Sequence, residues 1–558
     1  MAAESTSLSE TARSIVLCAC LTLITPALAG TPTPAPPLAE LVQTHGYVYV
    51  NEPPHVGATT NLFLSNDHNV DLKVQAVGDR RNFVLAPRKD AGTTAFGLWL
   101  PAGEYKFVSW GTHDWGDYPS FKVDAGRITN LGTLIPVAIG ANQFVMLPVR
   151  RNDTPDRVTD AIDEFKAQLA SAVPIEWTPR VVPKPMAMSS SGPASLGLVA
   201  DLILEFDRRA NKPPFNEQLR AATSIDDFIS LAKSAMPPSC PFAATDDQSR
   251  MYFCAGFGQV RVRDANGVWS SLDTGTWEST TAVAWSHSAI YAGAADGRVR
   301  ASEDGGLHWQ TVHTFEDHDP VVSIVHAGGR WLVVTLHAEK WNELAKQMIP
   351  DGLTVHASKG DDFSDFSIVR KVELSGPAAT SFWKGPTPQA FGAYYYLGTG
   401  KELLRMDLRT NEWSAMPIPV NFHSFSIAPA TGTMTAYLAM GLFSKVVVSN
   451  DLGGTWTKRE APSLVINDVY FDDQVGQADR ANPGTFTVTL ERYAYDVAAH
   501  RWLRKQELPA GCARILHTPD RKESFCVTNG GSTCMRVKAR GMRSLRFSSQ
   551  ARPSLVAP

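Results

Sequence analysis

The chain has 558 residues, more than one ordinary core accommodates, so two to four domains are expected. Apolar residues make up 44% of it and charged residues 19%, which excludes a disordered chain. With 52 basic and 56 acidic residues the net charge is −4, and the lack of any broad basic excess argues against nucleic acid or an anionic membrane as the partner.

The N-terminus reads as a signal peptide over residues 1–29. Arg13 precedes the apolar run Ile15 to Ile24, and Ala27-Leu28-Ala29 supplies the small-x-small pattern that a signal peptidase cleaves. Cys18 and Cys20 suggest a lipoprotein box, but too little apolar sequence precedes them. The run is too short to span a bilayer comfortably, and no second segment is long enough. The mature chain is therefore expected in the periplasm or outside the cell, without a transmembrane segment. Residues 30–45 begin Gly-Thr-Pro-Thr-Pro-Ala-Pro-Pro and read as a stiff linker.

Cysteine usage fits export. Beyond the signal stand Cys240, Cys254, Cys512, Cys526 and Cys534. Cys240 and Cys254 are separated by fourteen positions, as are Cys512 and Cys526, and each second cysteine follows a phenylalanine. This reads as one strand-pair disulfide used twice, with Cys534 left over. No C-x-x-C and no nearby histidine pair exists, so neither zinc nor any other metal is expected, and no cofactor.

Residues 46–150 alternate in short strands, among them Tyr47–Val50, Leu62–Leu64, Leu72–Val77, Phe96–Leu100 and Glu104–Val108, and predict a small antiparallel β-sandwich. The text LPAGEYKFVSWG, followed by FKVDAGRITNLGTL, resembles the transthyretin-like or carboxypeptidase-regulatory-like accessory domains. That resemblance implies a non-catalytic adhesive or spacer module. His113-Asp114-Trp115-Gly116-Asp117 reads as a hairpin tip with an exposed aromatic residue. Residues 151–238 read as a helical connector. Thr154 and Pro155 open one helix, with Val158, Ile162, Phe165 and Leu169 on one face. Residues 180–195 read as a loop. Leu196–Phe206 and Ser224–Met236 read as further helices, the last opened by a capping box of Ser224 and Asp227.

Periodicity governs residues 239–550. Ser302, Asp304, Gly306 and Trp309 fit the pattern S-x-D-x-G-x-x-W. Ser449, Asp451, Gly453 and Trp456 fit it again at the same spacing. Weaker copies start at Asp264, Ser358, Asp407 and Asp496, and the aromatic residues Trp269, Trp309, Phe366, Trp413, Trp456 and Trp502 are 40, 57, 47, 43 and 46 residues apart. A four-stranded blade needs about 40–50 residues. The pattern resembles the Asp-box, or BNR, repeat of β-propellers, a family that includes sialidases, sortilin-type receptors and photosystem assembly factors. The resemblance implies a mainly β fold of seven blades, with six as the alternative, in which the box residues are structural. The long step holds an insertion near Glu339–Pro350 that reads as a short helix on a loop, and Phe547 is placed to anchor a last blade.

The box specifies the blade and not the reaction. A sialidase-type site needs an arginine clamp, a tyrosine nucleophile and acidic partners. No F-R-I-P strand is present; Gln259-Val-Arg261-Val-Arg263 reads as an outer strand, and nothing assigns Arg330 or Arg405. Glu316-Asp317-His318-Asp319 reads as a solvated connecting loop, and Asp361, Asp362 and Asp365 as a degenerate box before a calcium site. The expected function is a monomeric, non-catalytic binding or assembly protein of the cell envelope that takes a protein or glycan ligand. An exo-acting glycoside hydrolase with its site in the propeller funnel is the alternative.

Overall fold

The computed structural model describes residues 38–51, 72–87, 95–110, 113–115, 120–140, 143–149, 170–174, 182–188 and 214–234, and residues 236–536 with gaps at 237, 241–242, 339, 343–346, 375–387, 439–443, 463–465, 474, 484–487, 508–511, 518–523 and 529–533. The expected signal peptide, the strand at Leu62–Leu64, the helices at 154–169 and 196–206 and the anchor Phe547 lie outside the described residues. No helix among the described residues is long and apolar enough to cross a membrane.

The linker ends earlier than its composition suggests, because α1 (Leu38–Thr44) is helical. It consists largely of good helix formers once the prolines are passed. Then come β1 (His45–Asn51), β2 (Leu72–Ala76), β3 (Asn82–Pro87), β4 (Ala95–Pro101), β5 (Gly103–Trp110), β6 (His113–Asp114), β7 (Phe121–Val123), β8 (Arg127–Gly140), β9 (Gln143–Val149), β10 (Ala170–Pro174) and β11 (Ala187–Met188). They form one 11-stranded sheet in the order β10-β8-β1-β4-β3-β2-β5-β6-β11, with β7 on β5 and β9 on β8. The pairing is mixed rather than antiparallel throughout: β8 runs parallel to β1, with Tyr47 opposite Ile128, and parallel to β10, with Val173 opposite Thr129.

The sheet curls so that its β7 side returns to β1. The Gly126 N–H donates to the His45 carbonyl at 3.0 Å. A Cβ on Gly46 would meet the Asp124 carbonyl at 2.4 Å, so this approach requires glycine. Val48, Val74, Phe107, Trp110, Phe121, Leu131 and Met146 share one core. Trp115 belongs to it as well. It stacks on Phe107 at 4.6 Å and is buried, so it is no exposed hairpin tip. His113 is buried too, while Asp114 is exposed.

Two helices, α2 (Pro214–Ala221) and α3 (Ile225–Ser234), link this sheet to the repeats. The Ser224 hydroxyl accepts the Asp227 N–H at 3.1 Å and caps α3. Leu219, Phe228 and Ala232 pack between Ile135, Val137 and Leu147 on one side and Phe257 on the other. Arg261 donates to the Ser234 carbonyl at the C-terminal end of α3 at 2.6 Å. Gln259–Arg263 is accordingly not an outer strand: it is a third strand with all five residues buried.

Six four-stranded antiparallel sheets follow in sequence order, sheet I (244–273), sheet II (280–314), sheet III (321–373), sheet IV (389–416), sheet V (424–459) and sheet VI (466–507). A three-stranded sheet VII (512–536) ends the series. Within each, strands pair antiparallel in chain order. The insertion in sheet III is a hairpin of Lys340–Asn342 with Gln347–Ile349, not a helix. Each short segment finds its partner across the turn, and that pairing overrides local helix propensity.

Apolar contacts join neighbouring sheets. Tyr252 and Val260 of sheet I meet Ile290 and Ala292 of sheet II. Tyr396 and Leu403 of sheet IV meet Phe425 and Val447 of sheet V. The series also returns to its start. Phe525 of sheet VII is fully buried against Phe253 and Trp269 of sheet I, with the Arg263 guanidinium 4.8 Å from the Phe525 ring.

Candidate functional site

The two complete boxes occupy the same corner of their sheets, between the third and fourth strands. In sheet II the Ser302 hydroxyl donates to Asp304 Oδ1 at 2.9 Å and accepts the Gly306 N–H at 2.8 Å. Asp304 Oδ1 also accepts the Leu307 and His308 N–H groups at 3.0 and 2.9 Å. In sheet V the Ser449 hydroxyl donates to Asp451 Oδ1 at 2.7 Å and accepts the Gly453 N–H at 2.8 Å, while Asp451 accepts the Thr455 N–H at 2.8 Å. Gly306 and Gly453 both have positive φ, at 98° and 87°, where a side chain would be strained.

The aromatic residues of the boxes sit in matching surroundings. Trp309 packs on the cluster shared by sheets I and II, and Trp456 on the cluster shared by sheets IV and V. Each therefore seals the seam between its own sheet and the preceding one. The weaker copies use the same corner without the serine. Asp264 accepts the Val268 N–H at 2.7 Å, Asp407 the Arg409 N–H at 2.8 Å, and Asp496 the Ala499 N–H at 3.1 Å.

Asp304, Asp407 and Asp451 are held ionised. The backbone and side chain of His308 push Asp304 well below the usual carboxylate range. Thr455 does the same to Asp451, bringing it down to about 2, and the Arg409 guanidinium and backbone bring Asp407 down to about 2. A group with so low a pKa is a poor general acid near neutral pH.

Sheet III breaks the pattern. Its Ser358 hydroxyl accepts the Trp331 N–H at 2.8 Å and donates to the Gly360 carbonyl at 2.5 Å, so backbone replaces the box aspartate. Asp362 bonds Ser364, and Asp365 pairs with Lys359 at 2.5 Å. The three aspartates therefore do not converge on a calcium site. Asp361 faces two histidines instead. His287 Nε2, from the first turn of sheet II, lies 3.1 Å from Asp361 Oδ2. His326 Nε2, from the end of the first strand of sheet III, bonds Asp361 Oδ1. The three donor atoms all lie within 4.8 Å of one another. The expectation of no metal-ligand grouping rested on close spacing along the chain, which this cluster lacks. The signal available in the sequence was that both histidines stand near the end of a first strand in consecutive repeats.

Other expected groups are engaged locally. Asp319 pairs with His337 at 3.0 Å, and Glu316 and Asp317 are exposed. Arg330 bonds Asn411, tying sheet III to sheet IV, and Arg405 lies over the Tyr394 ring at 4.6 Å. A disulfide joins Cys240 to Cys254. Cys512 stands opposite Thr528 and Cys526 opposite Ile515, so the second cysteine pair is diagonal across its ladder. Cys240, by contrast, lies outside the strands of sheet I.

First-to-second and third-to-fourth turns emerge at one end of an antiparallel sheet. Large exposed aliphatic residues gather at those turns: Val268 is 60% exposed, Leu307 79%, Val475 63% and Val497 39%. His287, His326 and Asp361 share that end.

The repeat region is mainly β, built of successive four-stranded antiparallel sheets of the kind that form propeller blades. Among solved structures, similarity extends to a candidate 6-phosphogluconolactonase from Bacteroides uniformis (12% identity, TM-score 0.38, 52% of this chain and 91% of that one). It extends also to the computationally designed Ika8 protein (14%, 0.37, 56% and 86%) and to YCF48 bound to D1 peptide (13%, 0.37, 52% and 90%). No family model and no curated protein matches the chain.

Proposed function

We propose that the chain is an exported, non-catalytic binding or assembly protein of the cell envelope, whose propeller presents one turn-rich face to a protein or glycan ligand. The observation that carries this reading is how the turn carboxylates are used. Asp304, Asp407 and Asp451 are bound into their own turns and kept ionised, while Arg330 and Arg405 are spent on packing. The exposed aliphatic residues at the same turns supply apolar contact area of the kind that interfaces use. The Cys240–Cys254 disulfide supports an oxidising compartment.

We read the six four-stranded sheets and sheet VII as seven blades of one Asp-box ring, with Phe525 at the closing seam, and the curled N-terminal sheet as a spacer module. The test combines a panel of aryl-glycosides, a sialoside included, with a glycan array and affinity capture from envelope extract. Saturable capture of a partner or glycan without chromophore release is the expected result. Chromophore release above background overturns the reading in favour of a hydrolase.

A further inference from the structure

We propose that His287, His326 and Asp361 bind a divalent transition-metal ion of the zinc type, which staples sheet II to sheet III. Their donor atoms are already at coordination spacing. The contact of 3.1 Å between His287 Nε2 and Asp361 Oδ2 is close to the edge of a tetrahedron around zinc. With ligand bonds of about 2.0–2.1 Å, neighbouring donors there lie roughly 3.3 Å apart. Small movements therefore convert a set of hydrogen bonds into a ligand set.

Donor chemistry selects the ion. Two imidazole nitrogens and one carboxylate suit zinc, nickel or copper, whereas calcium and magnesium prefer shells made of oxygen. The surroundings hold the ligands in place. Ser286 Oγ contacts His287 Nδ1 at 3.0 Å, which leaves Nε2 directed at the cluster. Trp331 Nε1 donates to the Asp361 carbonyl at 3.0 Å and fixes the turn that carries the carboxylate. The His326 ring packs on Trp331 at 4.9 Å, over an aromatic layer that includes Tyr291 and Phe363.

Access is open. The side chains of His287 and Asp361 are each 54% exposed, so an ion enters from solvent and completes its shell with water. Because the first ligand belongs to one sheet and the other two to the next, binding cross-links the ring and favours the folded state by mass action.

The test is calorimetric titration of the chelator-treated full chain with Zn²⁺ and separately with Ca²⁺, repeated for His287→Ala and Asp361→Asn. Both replaced side chains are half exposed, so both variants keep the fold, which circular dichroism checks. One equivalent of Zn²⁺ should bind, with affinity at least tenfold weaker in each variant, no saturable Ca²⁺ heat, and a zinc-dependent rise in melting temperature that each variant loses. No saturable Zn²⁺ heat would overturn the proposal, leaving a proton between histidine and aspartate as the bond. Zn²⁺ binding that neither variant weakens would overturn it too.

Discussion

Sheets II and V differ from sheet III at one corner. In the first two, an aspartate two residues after the serine accepts a hydrogen bond from the serine hydroxyl and holds the turn. In sheet III the residue at that place is Gly360, and its carbonyl does the same task. Asp361 comes one residue later and is free to turn towards the histidines. The comparison teaches that a structural repeat gains a chemical group where the backbone takes over a side chain's duty.

The largest test of this contrast is burial. Trp331 supports the sheet III turn and is fully buried, whereas Trp309 is half-buried. Trp331→Ala should cost about 3–5 kcal/mol in urea unfolding, and Trp309→Ala about 2 kcal/mol. Equal losses would mean that the two corners are built alike.

Next comes pH. His356, on the third strand of sheet III, is pushed down to about 4 by burial and by His313, with Asp317 opposing and Lys371 adding to the effect. It is neutral in the fold and takes up a proton on unfolding below about 6.5. Stability should therefore be full above pH 6.5, fall by roughly 3 kcal/mol as pH drops to about 4, and level off from this source below that. Thermal melts of the protein and of His356→Leu check this, and the variant should lose that part of the slope.

The serines rank third. Ser302 and Ser449 are buried and each holds a glycine N–H, so replacement by alanine should cost about 1–2 kcal/mol at either corner. Smallest is the exchange of the half-exposed Asp361 carboxylate beside its two histidines. In metal-free buffer Asp361→Asn should change stability by less than about 0.5 kcal/mol. Asp304→Asn, by contrast, should lower the urea midpoint measurably, because it disturbs bonds to two N–H groups.

Much of the repeat region was legible because the box encodes itself locally: serine, aspartate, glycine and tryptophan interact within eight residues. The same holds for the Ser224 cap of α3 and for the Cys240–Cys254 bond. What escaped the sequence depends on distant partners. The parallel seating of β8 beside β1 is set by the curl of the sheet and not by alternation along either strand. Trp115 looks like a hairpin tip until Phe107 covers it. The 340–349 hairpin depends on cross-strand pairing. His287, His326 and Asp361 come from two turns and a strand end that become neighbours through the stacking of sheets II and III.

Amide hydrogen exchange tests most directly the claim that the box side chains are committed to holding equivalent corners. The Gly306 and Gly453 N–H groups both donate to buried serine hydroxyls. Both should exchange slowly and to a similar degree, and each should lose protection in its own variant, Ser302→Ala or Ser449→Ala, while the other keeps it. Fast exchange of either glycine in the unaltered protein, or loss of protection at both corners from one substitution, would contradict the account.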